Sequence, residues 1–223
     1  MDIDFWFDPA CPFCWRTSRW LLAVAPHRDA TVHWRSISLL EKNGGADRVP
    51  EQYRARVVAT HRMLRVVERL RAQGENELIE RFYTEVGTRI HHDQVDAQDV
   101  DVAGILSALG ADPSVAAALD DEALDDAIRA SMAEALSKTG EDVGTPLVGI
   151  GGRVLFGPVV APVPTGEEAL ELFDAWHTMV GLSSFWELKR GREGVDMTPP
   201  PRPDTVVAEG PPHAALFDAG DIG

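Results

Sequence analysis

The sequence predicts an α/β fold in which two sheet-forming halves are separated by a long helical insertion. Three observations carry this. A short aromatic strand runs straight into a Cys-Pro-Phe-Cys turn. Residues 51–139 then repeat apolar side chains at helical spacing. After residue 140 a Gly-Gly hairpin and one further helix close the chain's patterned part. The expected order is βαβ, helical block, ββα.

Residues 2–7 are apolar and aromatic, which suits a buried strand, and Asp8-Pro9 stops it. A helix is expected from Cys11, with Pro12 in its first turn, where a missing N–H costs nothing, and Pro26 closing it. Residues 31–40 read as a second strand, and Glu41 to Pro50, with Gly44 and Gly45, as a loop. In the helical block Met63, Val66, Val67 and Leu70 form one stripe, and Ile79, Phe82, Val86 and Ile90 another. Val102, Ile105, Leu106 and Leu109, and then Leu124, Ile128, Met132 and Leu136, continue the pattern. These stripes are read as helical core, punctuated by Gly74, the 91–98 segment and Asp112-Pro113.

Residues 146–150 and 153–156 flank Gly151-Gly152, a two-residue hairpin turn. Thr165 and Glu168 have capping-box spacing ahead of a last helix carrying Leu170, Phe173 and Val180. Beyond it, a proline-rich stretch reads as an extended or mobile tail, with Phe185 and Trp186 expected to anchor its start. The expected division is 1–48 for the first half, 49–140 for the insertion as a lid, 141–182 for the second half and 183–223 for a C-terminal extension.

The net charge of −15 disfavours nucleic acid and anionic membrane as partners. No apolar run approaches the roughly 20 residues of a membrane span. The start, MDIDFWFDPACPFC, lacks the basic opening and cleavage site of a secretory signal, so the expected compartment is the cytoplasm. Arginine greatly outnumbers lysine, which fits a high-G+C bacterial coding bias.

Cys11 and Cys14 are the chain's only cysteines. A C-x-x-C beside a βα unit in the cytosol reads as a redox motif. At a helix N-terminus the first N–H groups point at the sulfur, and the macrodipole favours a thiolate. Cys11 is therefore expected to be the nucleophile, with a pKa well below that of a free thiol. Cys14, one turn later, is expected to be shielded and to resolve the mixed disulfide formed at Cys11. Phe13 adds no charge, so the helix end alone is expected to tune Cys11. A structural disulfide is disfavoured in the cytosol. A zinc site normally needs four ligands, and no second cysteine pair exists. His91-His92-Asp93 is expected on a solvated face, and no metal is expected. Gly149-Ile-Gly151-Gly152 lies in a hairpin and is no dinucleotide fingerprint.

Read alone, Val143-Gly-Thr-Pro146 before a strand is an ordinary trans proline. Together with Cys11-Pro-Phe-Cys14, it makes the chain resemble the thioredoxin superfamily. That resemblance implies a cis Pro146 abutting Cys11, with the Thr145 backbone pairing with substrate like an added strand. The long insertion is similar to the DsbA branch, which includes kappa-class glutathione transferases and 2-hydroxychromene-2-carboxylate isomerases. The stretch FWFDPACPFCWRTSRWLL resembles the active-site segment of the actinobacterial mycothiol-dependent nitroreductases, except that Phe13 stands where they carry Trp.

This resemblance implies reduction of disulfides or nitroaromatic compounds, with mycothiol as cosubstrate and mycoredoxin as a possible partner. No tightly bound cofactor is expected. By placement it makes Trp20, Asn43 and Tyr53 candidates for the substrate cleft, with Pro12, Phe13, Trp15, Thr145 and Pro146 around the dithiol. Read from the residues alone, Trp20 serves equally well as core, and Asn43 as turn chemistry. Three rivals stay open. One is a protein disulfide oxidase or isomerase, and one a glutathione-transferase-like or isomerase enzyme that needs no resolving cysteine. The third is a non-enzymatic redox sensor. The oligomeric state is not readable.

Overall fold

The computed structural model describes residues 1–206. Its centre is β1 (Asp2–Phe7), paired in parallel with β2 (Thr31–Ser36) and antiparallel with β3 (Leu147–Ile150). β3 pairs antiparallel with β4 (Arg153–Phe156), so the sheet order is β2-β1-β3-β4. The helices are α1 (Pro12–Val24), α2 (Leu39–Lys42), α3 (Glu51–Ala72), α4 (Asn76–His91), α5 (Val102–Ala108), α6 (Asp125–Thr139) and α7 (Gly166–Gly181). Helices α3 to α6 all lie between β2 and β3, which is the insertion expected from the sequence.

Alternation along β1 sends its side chains to both faces of the sheet. Phe5 and Phe7 meet Trp34 edge-on, at 5.4 and 5.7 Å, and Phe7 packs on Tyr83 of α4 at 4.1 Å. Trp6 points the other way, and its indole N–H donates to the Ser131 carbonyl of α6. Helices therefore cover both faces, and a strand exposed on neither must be apolar nearly throughout. Asp4, at the sheet's near end, is paired with Arg35 of β2. The β3–β4 turn uses Gly151 and Gly152 at φ +58° and +77°, a conformation that costs glycine nothing.

A Ser38–His61–Asp125 chain invites a nucleophile reading, with Ser38 Oγ 2.9 Å from His61 Nδ1 and His61 Nε2 3.1 Å from Asp125. Ser38 is fully buried, however, and its hydroxyl caps α2 by accepting the Glu41 N–H. Arg65 grips both oxygens of Asp125. The chain is a strut joining α2, α3 and the start of α6.

Four expectations need correction. β2 stops at Ser36 rather than residue 40, because Ser38 turns the chain into α2, inside what reads as strand and loop. Thr165 opens α7 without a capping hydrogen bond from its side chain, so the capping box does not form. His91 and Asp93 are buried, not solvated.

The extension is the fourth. It is extended, as expected, and exposed over most of residues 183–191, but from residue 192 to 206 it is a strap tied to the body and not a free tail. The Arg16 guanidinium of α1 donates to the carbonyls of Met197 and Thr198. Arg202 pairs with Asp93, and the Val206 N–H donates to Glu85. Trp186, expected as the anchor, is 83% exposed. The strap is held instead by polar groups on α1 and α4. The expectation for residues 207–223 lies outside the described residues.

Candidate active site

The site grows from the end of β1. There Asp8, fully buried, accepts the Ala10 N–H at 2.8 Å and the Leu39 N–H at 2.7 Å. Burial pushes its carboxyl pKa up, and these backbone donors pull the other way. The Cys11 N–H closes the turn onto the Asp8 carbonyl at 3.0 Å. The chain thus arrives at Cys11 in a fixed direction, with extended backbone angles of −81° and 117°, and enters α1 at Pro12. Cys11 is the N-cap residue of that helix. Its sulfur takes the place a Ser or Asp oxygen usually fills and accepts the Cys14 N–H at 3.4 Å.

From the other side comes the loop before β3. The Thr145–Pro146 peptide is cis, and the Thr145 carbonyl lies 3.8 Å from the Cys11 sulfur. Gly157 ties this loop down by donating to the Pro146 carbonyl. Gly157–Pro158 and Ala161–Pro162 are also cis, which the sequence reading did not anticipate.

The two thiols sit in opposite electrostatic settings. The Cys11 thiol is held below its ordinary value. The largest cause is the hydrogen bond from the Cys14 thiol, followed against burial by the contacts at Thr145 and the backbone N–H groups of Cys14 and Phe13. The Cys14 thiol is pushed well up, first by burial and then by the neighbouring Cys11 sulfur. Cys11 is 6% exposed and Cys14 is closed off entirely. The helix end therefore does not act alone: Cys14 and Thr145 share the tuning of Cys11.

Beneath the dithiol, α4 braces the turn. His91 Nε2–H donates to the Pro9 carbonyl at 2.9 Å. Burial, reinforced by the charge of Arg56, pushes its pKa down to about 3, so the ring is neutral at physiological pH. Trp15 stacks on His91 with centroids 5.8 Å apart and donates its indole N–H to His92. Arg19 also lies over this indole, its guanidinium carbon 4.1 Å from the ring centroid. Gly87 lets the indole approach α4, because a Cβ there would lie 2.3 Å from two ring carbons.

The structure gathers Cys11, Pro12, Phe13, Cys14, Thr145 and Pro146 at one place. Tyr53 lies nearby, in a small apolar group with Ala10, Val49 and Val57. Trp15 and Trp20 are corrections. Both are buried, Trp15 against α4, and Trp20 against Phe173 with its N–H on the Ala169 carbonyl of α7. Neither has surface to offer a substrate. Asn43 is exposed, and its amide donates back to the Leu39 carbonyl, closing α2.

Sequence reasoning missed Asp8, which it treated only as a strand stop, and the bracing role of His91. It also missed Arg192, whose guanidinium carbon lies 5.1 Å from the centroid of the Phe13 ring. The paired Asp-Pro and His-His were visible. What they touch was not.

A family model described as "Rv2466c-like: Mycothiol-dependent nitroreductase Rv2466c" matches residues 10–190. The chain belongs to this family. The Mycobacterium tuberculosis protein Rv2286c is 32% identical over 197 residues, covering 87% of this chain and 84% of that protein.

Among solved structures, the cytosolic disulfide reductase DsbM of Pseudomonas aeruginosa, with GSH, aligns at a TM-score of 0.53. The identity is 12%, over 80% of this chain and all of that one. The oxidoreductase DsbA of Xylella fastidiosa aligns at 0.51 with 19% identity, over 81% of this chain and 84% of that one. These likenesses establish the DsbA-like thioredoxin fold. With the family assignment they point to a thiol oxidoreductase. Among the described residues no helix of the chain is long and apolar enough to cross a membrane.

Proposed function

We propose that the chain is a dithiol oxidoreductase that reduces small disulfides or nitroaromatic compounds and is recycled by mycothiol. The asymmetry of the two thiols carries this reading: a sulfur of lowered pKa at a helix N-cap, and a fully buried thiol of raised pKa one turn behind it. The Cys11 thiolate attacks one sulfur of a disulfide and expels the other half as a thiolate. Cys14 loses its proton to solvent or to the departing group and attacks Cys11, releasing the second half as the Cys11–Cys14 disulfide forms. The increase in Cys14 acidity comes when the Cys11 sulfur is neutralised by its new bond, since the anionic neighbour is one of the groups that hold the Cys14 pKa up.

A free thiol fits the return step, because it needs only Cys11 at the surface and leaves Cys14 covered. Two mycothiol molecules supply the two electrons of each cycle. The first attacks Cys11 and frees Cys14, which takes up a proton. The second attacks the mycothiol sulfur of the mixed disulfide, releasing Cys11 and forming mycothiol disulfide, a step in which mycoredoxin can replace the second mycothiol. Thr145 and cis-Pro146 form the lip against which the incoming chain or amide lies. Tyr53, half-buried in the apolar group beside Ala10, offers an aromatic surface suited to a flat acceptor.

The test couples oxidised protein to NADPH through mycothiol and its disulfide reductase, with and without mycoredoxin, and in parallel through thioredoxin and its reductase. A nitroaromatic acceptor sustains turnover, and Cys11→Ser is the blank. NADPH consumption only with mycothiol is expected. Consumption only with thioredoxin would keep the dithiol chemistry and remove mycothiol. No consumption in either arm would remove the enzyme reading.

A further inference from the structure

The strap from residue 191 onward lies beyond the stretch matched to the family, which ends at 190, yet it packs onto the helix that carries the dithiol. Its polar anchors are satisfied. Arg202 is paired with Asp93, and Arg16 is committed to two strap carbonyls. Arg192 differs. It is half-buried, and its guanidinium sits over the ring of Phe13, one of the two residues between the cysteines. Among the described residues no carboxylate pairs with it. In a chain of net charge −15, a cation left without an acidic partner over a ring of the Cys11–Cys14 motif is conspicuous.

The ring face satisfies only one side of the guanidinium. Its N–H fork stays free, and that fork matches a carboxylate with two parallel hydrogen bonds. We propose that Arg192 is a specificity-determining residue that binds a carboxylate on the acceptor while the acceptor reacts at Cys11. This rests on the dithiol reading above and narrows its substrate class to carboxylate-bearing disulfides. Phe13 supports the guanidinium from below, and the strap fixes its position through Arg16 and Arg202.

The test is a single turnover of the reduced, desalted full-length protein in stopped flow. It uses dithiobis(nitrobenzoate), which carries carboxylates, and dithiodipyridine, which carries none. Each protein molecule transfers two electrons, releases two chromophoric thiols and closes Cys11–Cys14. Arg192→Gln is expected to slow the carboxylate-bearing disulfide about tenfold, the scale of a hydrogen-bonded charge pair. Reaction with dithiodipyridine is expected to change by less than about twofold, and Arg192→Lys is expected to recover part of the loss.

Equal slowing of both disulfides, or faster reaction with both, overturns the proposal, and the faster case makes the strap a cover over Phe13. If the unaltered protein releases no thiol from either disulfide, the dithiol reading itself fails and takes this inference with it. A normal rate with dithiodipyridine separates the two failures.

Discussion

The amide of Cys14 donates to the sulfur of Cys11 across 3.4 Å, so the second cysteine of the motif helps to activate the first. The same helical turn buries the Cys14 thiol completely. A Cys14→Ser variant therefore keeps its backbone donor and keeps Cys11 reactive, but loses the resolving step. With dithiobis(nitrobenzoate) it should release one thiol per molecule, where the unaltered protein releases two. Intact mass should show it holding one thionitrobenzoate adduct. Release of two thiols by Cys14→Ser would remove Cys14 from the resolving role.

His91 links the Pro9 turn to α4 as a neutral ring, with its pKa pushed down to about 3. The unfolded chain binds this proton near the ordinary value of about 6.5. The folded state therefore has its full His91 contribution above about 6.5 and loses it as pH falls towards 3. The slope is about 1.4 kcal/mol per pH unit for one such group. Denaturant titrations between pH 7 and 4 should show this slope, and His91→Gln should flatten it. His92, lowered for the same main reason of burial, shifts in the same direction, so part of the slope remains in His91→Gln.

Gly87 and Trp15 are in direct contact, and a Cβ at position 87 would overlap the indole ring. Gly87→Ala gains helix propensity but must displace a buried tryptophan. Overpacking of this kind costs about 1–3 kcal/mol. The expected result is a lower midpoint in thermal or denaturant unfolding, together with altered tryptophan fluorescence. A stabilised variant would mean that the indole moves without cost.

Truncation after Leu182 distinguishes a packed strap from a passive tail. It leaves the Arg16 guanidinium, Asp93 and Glu85 without their strap partners. Stranded buried or half-buried charged groups make a loss on the order of 2 kcal/mol the expected outcome. Unchanged unfolding of the truncated chain would contradict the packing described above.

Much of the fold was legible in residue types. The aromatic run of β1, Pro12 at the helix start and Gly151-Gly152 at the hairpin each act locally, so the sequence shows them directly. The cis geometry at Pro146 was legible only through resemblance, because proline alone does not choose its isomer. His91 and the strap were illegible for another reason. A histidine becomes buried by what packs on it, here Pro9 and Trp15 from distant parts of the chain. The proline-rich 199–201 stretch looks free until Arg16 takes the carbonyls just before it. Trp20 shows the converse. Placement by resemblance set it at the cleft, while its neighbour Phe173, contributed by the last helix, makes it core.

The central claim is that the Cys11 thiol is more acidic than a free thiol while Cys14 is a buried thiol held above the ordinary value. The pH dependence of iodoacetamide alkylation, followed site by site by peptide mass spectrometry in the reduced protein, tests it most directly. The account predicts that Cys11 alkylates with a midpoint well below that of a free thiol, and that Cys14 stays unmodified until the protein unfolds. Equal labelling of both cysteines, or a Cys11 midpoint at the ordinary thiol value, would contradict it.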